Sequence, residues 1–295
     1  PVPVTLDEPN VLLFDKAEYS INGGEWQPET QLLDIENVVR KEAGLPEQGG
    51  QPAQPWTDSS PVTTVAKVTL RLIFATRVGL SGAELALENL AESRVSIDGK
   101  ILEMKATGFY TDKAIETLAL PDFGAGKHII EVDLNYTRET AIEWMYLLGD
   151  FGVVIEGSQG VVIEPVRELS FGNWVDQGLP FYGGNVTYHC VSPVDADRLQ
   201  LPQMDGTAAE VRSNRESRMI YRQPLMAEIP LSKGKPVDIT LYGHRANCFG
   251  PVHLAKKIYW LGPGAYRTQG PMFCPEYRLE PLGLRTSPIL YRFGK

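Results

Sequence analysis

The chain has 295 residues, 43% of them hydrophobic, and a formal net charge of −9. An acidic surface cannot neutralise phosphates, which excludes a nonspecific nucleic-acid binder. No run approaches the ~20 apolar residues of a membrane-spanning helix, and the length suits one large domain or two of ordinary size.

Val11–Gln27 reads as two short strands joined by a turn at Asn22-Gly23-Gly24. Ile35, Val38 and Val39 then fall at helical spacing, with Asp34 placed to cap the helix and Gly44 to end it. The Gly-, Pro- and Gln-rich stretch 46–61 is a loop, which Trp56 is expected to pin to the surface. From Val65 the pattern is strand throughout. Val68, Leu70, Leu72 and Phe74 alternate with polar residues. In 94–134, Val95 and Ile97 alternate up to Asp98-Gly99, a hairpin signal because both central residues need positive φ. Gly124-Ala125-Gly126 makes a second turn before Ile130, Val132 and Leu134. Further strands follow in 144–157, 161–166 and 185–191.

The segment 208–243 weakly echoes 94–134: an aromatic-polar stretch, an alternating strand, a Lys-flanked Gly turn and a last apolar strand. The expected fold is therefore all-β, two tandem jelly-roll sandwiches with one short N-terminal helix; a single large sandwich with an insertion is the alternative. The expected division is 1–64, a hairpin, helix and loop packed on the first sandwich; 65–167, the first sandwich; and 168–295, the second. Helices of 10–15 residues do not alternate with the strands, so a (β/α)₈ barrel is excluded.

The 94–134 hairpin and its LPDFGAGKHIIEV continuation resemble the sugar-binding, galactose-binding-like jelly roll of family 2 glycoside hydrolases. Glu143–Val153 and Phe171–Tyr188 resemble the C-terminal region of large bacterial glycoside hydrolases, family 106 α-L-rhamnosidases in particular, through the Gln177–Gly184 run. The resemblance implies that the catalytic carboxylates lie on an upstream domain of the same polypeptide. This chain would then be an accessory region that supports that domain and binds carbohydrate; the alternative is an autonomous carbohydrate-binding module.

The residues themselves point the same way. Glycoside hydrolysis needs a pair of carboxyl groups; Glu143, Asp150, Glu156, Asp176 and Glu276 are candidates, and nothing in their spacing prefers one. No Gly-x-Ser-x-Gly elbow is present, and His189 and Cys190 are strand neighbours that face opposite ways. No catalytic residue is therefore assigned. Only the loose set His244, Cys248 and His253 suggests zinc, and loop hydrogen bonding is the simpler role for both histidines. No cofactor is expected; a structural Ca²⁺ held by loop carbonyls and an Asp would suit a jelly roll, although no EF-hand-like loop marks one. Cys190, Cys248 and Cys274 read as reduced thiols, which leans toward the cytoplasm; one disulfide plus a free thiol is the alternative.

Sugar sites stack a ring on an aromatic and hydrogen-bond its hydroxyls. The candidate contacts are Trp174, Asp176, Tyr182, His244, Arg245, Trp260 and Tyr266. The competing role for the aromatics, Trp144 included, is to seal the contact between the two sandwiches.

Overall fold

The computed structural model describes residues 1–46, 61–258 and 261–292. The expectation for Trp56 and the candidate contact Trp260 fall outside these residues. The fold is all-β, with one helix of more than one turn among the described residues.

Two hydrophobic cores organise it. In the first, Ala66–Thr76 and Gly126–Tyr136 pair antiparallel over their full length. Ser93–Ile97 flanks Gly126–Tyr136, and the hairpin Lys16–Ile21 to Gln27–Gln31 flanks Ala66–Thr76. The facing sheet has the order Asn10–Phe14, Met145–Gly149, Glu84–Leu87, Glu116–Ala119, Ala106–Phe109. Leu70, Leu72, Ile130 and Val132 meet Leu12, Leu85, Leu118 and Leu147 between them, all at most 1% exposed. Each strand of the central pair places alternate residues inward, which is why the period-2 pattern was readable.

The second core lies under a six-stranded sheet of order Glu168–Leu169, Val2–Leu6, Val186–Val191, Pro236–Tyr242, Ala208–Ser213, Glu216–Ile220. It is closed by Met226–Leu231, Ala196–Gln200 and Ile289–Tyr291. The sequence echo is topological: Ser93–Ile97 lies between its hairpin partner and Gly126–Tyr136, and Ala208–Ser213 lies between its own hairpin partner and Pro236–Tyr242. Asp98 (φ 49°) and Gly99 (φ 79°) make the expected hairpin turn. The Asp98 side chain adds bonds to the His128 ring (2.7 Å) and the Ile129 N–H (3.0 Å).

Local patterns missed three features. Val2–Leu6 does not pack with the N-terminal segment on the first sandwich; it is an inner strand of the second sheet, paired with Glu168–Leu169 and Val186–Val191. The apolar run around Val11 is split at Asp15, with Asn10–Phe14 in one sheet and Lys16–Ile21 in the other; the Asn22-Gly23 turn instead joins Lys16–Ile21 to Gln27–Gln31. Asp34 is not the helix cap. The helix Leu32–Glu42 starts after Gln31 with no side-chain cap, and Asp34 sits in its first turn, accepting from Thr268 Oγ1 (2.7 Å). Gly44 (φ 71°) does end the helix, with the Leu45 N–H bonded to the Arg40 carbonyl (2.8 Å). Among the described residues no helix is long and apolar enough to cross a membrane.

Candidate functional site

The two sandwiches and the irregular C-terminal segment enclose a cleft of about 910 Å³. Val153, Val154, Ile155 and Ile163 give it an apolar wall from the first sandwich. The short 3₁₀ turn Trp174–Gln177 brings Asp176 and Gln177 to the opposite side, and the C-terminal segment adds Asn247, Lys257, Arg278 and Glu280. Each wall is built locally. Asn173 Oδ1 accepts from the Val175 N–H (3.3 Å) and the Leu282 N–H (3.0 Å), so one side chain caps the turn and ties it to the distal chain. Asn247, 1% exposed, exchanges two bonds of 2.8 Å with the Glu280 backbone and fixes the third wall. Lys257 Nζ and Glu280 Oε2 then pair at 2.7 Å across exposed positions. Apolar surface beside separated donors and acceptors is the chemistry that holds a small polar ligand.

The residues singled out from sequence divide sharply. Asp176 is exposed at the cleft, where it accepts from Asn173 Nδ2 (2.8 Å). Trp174 and Tyr182 are 0% exposed and present no ring face to solvent. They meet edge to face beneath the loop, with centroids 6.3 Å apart. The Tyr182 hydroxyl has two acceptors within reach of its one proton, Asp7 Oδ1 (3.0 Å) and the Asn185 carbonyl (2.9 Å). Arg245 is held by Glu8 (2.5 Å) and the Tyr110 hydroxyl (3.3 Å). Burial holds the half-buried His244 below the usual imidazole range, against an opposing pull from Glu280. Tyr266 lies elsewhere, edge to face with Trp144 at 5.7 Å. Sequence reasoning passed over Lys257 and Glu280, because isolated polar residues in an irregular segment carry no periodic signal.

The candidate acids also separate. Asp150 pairs with Arg167, Glu156 with Arg77, Asp176 with Asn173, and Glu276 accepts from the Cys274 thiol (3.1 Å). Glu143 has no such partner among the described residues. Burial, then the nearby carboxylates of Glu88 and Glu36, push it up to about 7. A carboxyl raised in this way contributes stability that is complete below its ordinary value of 4.5 and is lost as pH rises through about 7. Glu143→Gln, a neutral isostere, is therefore expected to stabilise the fold by about 1–2 kcal/mol at about pH 8, after discounting for partial exposure, and by almost nothing at about pH 4. Urea melts at the two values check the difference.

Other chemistries find little support. All three cysteines are free thiols; burial raises Cys248 and, with Asp238 nearby, pushes Cys190 up to about 11, so neither is an activated thiolate. His189 faces outward, between Asp238 (2.9 Å) and Thr5 Oγ1 (2.7 Å), while Cys190 packs on the second core. Among the described residues no group of three or more His, Cys, Asp and Glu is placed to hold a metal ion.

No protein-family profile matches the chain, and no curated protein matches it. Among solved structures it is similar to a GH2 beta-galacturonidase from Eisenbergiella tayi bound to galacturonate, at 12% identity and a TM-score of 0.30, covering 81% of this chain and 38% of that one. A second, bound to glycerol, has the same identity and TM-score and is covered over 37% of its length. The chain thus spans well under half of these neighbours, and they contribute nothing to the reading of the site.

Proposed function

We propose that the chain is a non-catalytic β-sandwich region of a larger glycoside hydrolase, similar in its motifs to the family 106 α-L-rhamnosidases, and that it binds carbohydrate in the junction cleft. The observation that carries the binding reading is the cleft itself, an apolar wall faced by Asp176, Gln177, Lys257 and Glu280. A sugar presents an apolar face and a rim of hydroxyls, and this arrangement matches both. The two buried aromatics, Trp174 and Tyr182, support the loop rather than touch ligand, so the hydrogen-bonding groups dominate recognition.

A glycan array followed by calorimetric titration tests binding. The expected result is a sugar ligand whose affinity falls about tenfold or more in Asp176→Ala and Lys257→Ala, both exposed positions. Undiminished affinity in both variants would sink the placement. Assays with aryl rhamnosides and galactosides test the non-catalytic half: no turnover is expected, and robust turnover by the isolated chain overturns it.

A further inference from the structure

A second groove runs between the first sandwich, the helix and the C-terminal segment. Its inner end, about 170 Å³, is lined by Glu88, Glu143, Trp144, Tyr146, Phe249 and Tyr266 among others. Its outer end, about 560 Å³, continues past Glu143 and Tyr266 to Asn37. The aromatic rings are locked against one another: Trp144 on Tyr266 at 5.7 Å, and Tyr146 on Phe249 at 5.4 Å.

The polar groups in this aromatic groove are incomplete. Neither Glu143 nor Glu88 has a hydrogen-bond or ion-pair partner among the described residues. The Asn37 Oδ1 is also buried without one. No Lys or Arg is among the residues lining either end. Acceptors and ring faces both favour a positive charge; among the described residues the nearest one, Arg40, is taken up by Glu36 at the outer end (3.4 Å) and none faces Glu143 and Glu88. Trp144 adds the opposite need: it is only 9% exposed, and its indole N–H has no acceptor. A ligand that completes the groove therefore carries an ammonium group and, close to it, an oxygen.

We propose that this groove binds an amino sugar, its protonated amine between Glu143 and Glu88 and a hydroxyl oxygen accepting from Trp144 Nε1. The sugar scaffold rests on the carbohydrate reading above; the amine rests on this groove alone. The charges facing Glu143 agree with it. Glu88 follows the strand Glu84–Leu87, and Glu36 lies on the helix, where it pairs with Arg40 (3.4 Å); burial keeps the facing hydroxyls of Tyr146 and Tyr266 neutral. Burial and these carboxylates push Glu143 up to about 7, and a bound ammonium would reverse the sign of that field and favour the carboxylate.

Calorimetric titration of the chain with glucosamine, N-acetylglucosamine, glucose and methylammonium, at a pH where the amine is protonated, tests the assignment. Glucosamine should bind at least about tenfold more tightly than each of the other three. Glu143→Gln, which preserves the fold, should erase that preference, and Trp144→Phe should weaken glucosamine several-fold. Glu216→Gln on the second sandwich should change nothing. Equal affinity for glucosamine and N-acetylglucosamine, or a preference that survives Glu143→Gln, overturns the site. Methylammonium binding as tightly as glucosamine overturns its assignment to a sugar. The junction cleft is read at Asp176 and Lys257 and this groove at Glu143, so either reading can fail without the other.

Discussion

Asp15→Ala is expected to destabilise the protein by about 3–5 kcal/mol, the cost of stripping one partner from a buried charge pair. Asp15 is 3% exposed at the point where the chain leaves one sheet of the first sandwich for the other. Its Oδ2 faces His253 Nε2 at 2.5 Å and accepts from Gln31 Nε2 at 3.3 Å, while Oδ1 accepts from the Tyr277 hydroxyl at 2.8 Å. The other ring nitrogen of His253 faces the Cys274 carbonyl at 2.8 Å. One carboxylate thus fastens the irregular C-terminal segment to the first sandwich. Burial pushes Asp15 up, but the hydrogen bond and charge of His253, with help from Lys16 and Tyr277, outweigh it and hold the carboxyl below its ordinary 3.8. A lowered folded-state value contributes stability that is present above the unfolded value and lost as pH falls through the folded one. Below about pH 4 the wild type should therefore lose stability more steeply than Asp15→Asn, which is already weakened and has no proton to gain. Denaturant midpoints across the acid range measure both effects; a wild-type-like midpoint for Asp15→Ala at neutral pH would refute the clamp.

Gly283→Ala should cost about 3 kcal/mol or more, from a strained backbone and a clash that nothing flexible can relieve. Gly283 has φ 138°, a conformation closed to L side chains. A Cβ there would lie 2.1 Å from the Gly172 carbonyl oxygen, a backbone atom. The close approach exists because the strand Gly283–Leu284 hydrogen-bonds the loop that carries Asp176. The Gly172 N–H donates to the Leu284 carbonyl (2.6 Å) and the Trp174 N–H to the Leu282 carbonyl (2.7 Å). Separating the two segments would loosen the loop over Trp174 and displace one wall of the junction cleft. Gly124→Ala, where a Cβ meets nothing within 4 Å, is the control, with an expected change within about 0.5 kcal/mol. Urea unfolding followed by Trp fluorescence compares the two, and a Gly283→Ala midpoint equal to the control would contradict the account.

Glu143 was one of five acids with nothing to single it out; it became distinct only when the other four were found to have partners and it had Glu88. Trp174 and Tyr182 carried the composition of a sugar site, yet both are core residues, because the loop between them folds inward onto the second sandwich. Asp15, His253 and Tyr277 lie 238 and 262 residues apart in sequence, and no local pattern joins them.

The sequence by itself determined the strand character of the chain, the Asp98-Gly99 hairpin and its echo in 208–243, and the helix stop at Gly44. These depend on side-chain alternation and on backbone angles, which each residue and its near neighbours dictate. Only the tertiary structure decided that Val2–Leu6 enters the second sheet, that an apolar run is divided between two sheets at Asp15, and which polar groups are left without partners. Those outcomes are set by pairing and burial between distant segments, where the edge that is filled and the charge that is covered depend on the whole fold.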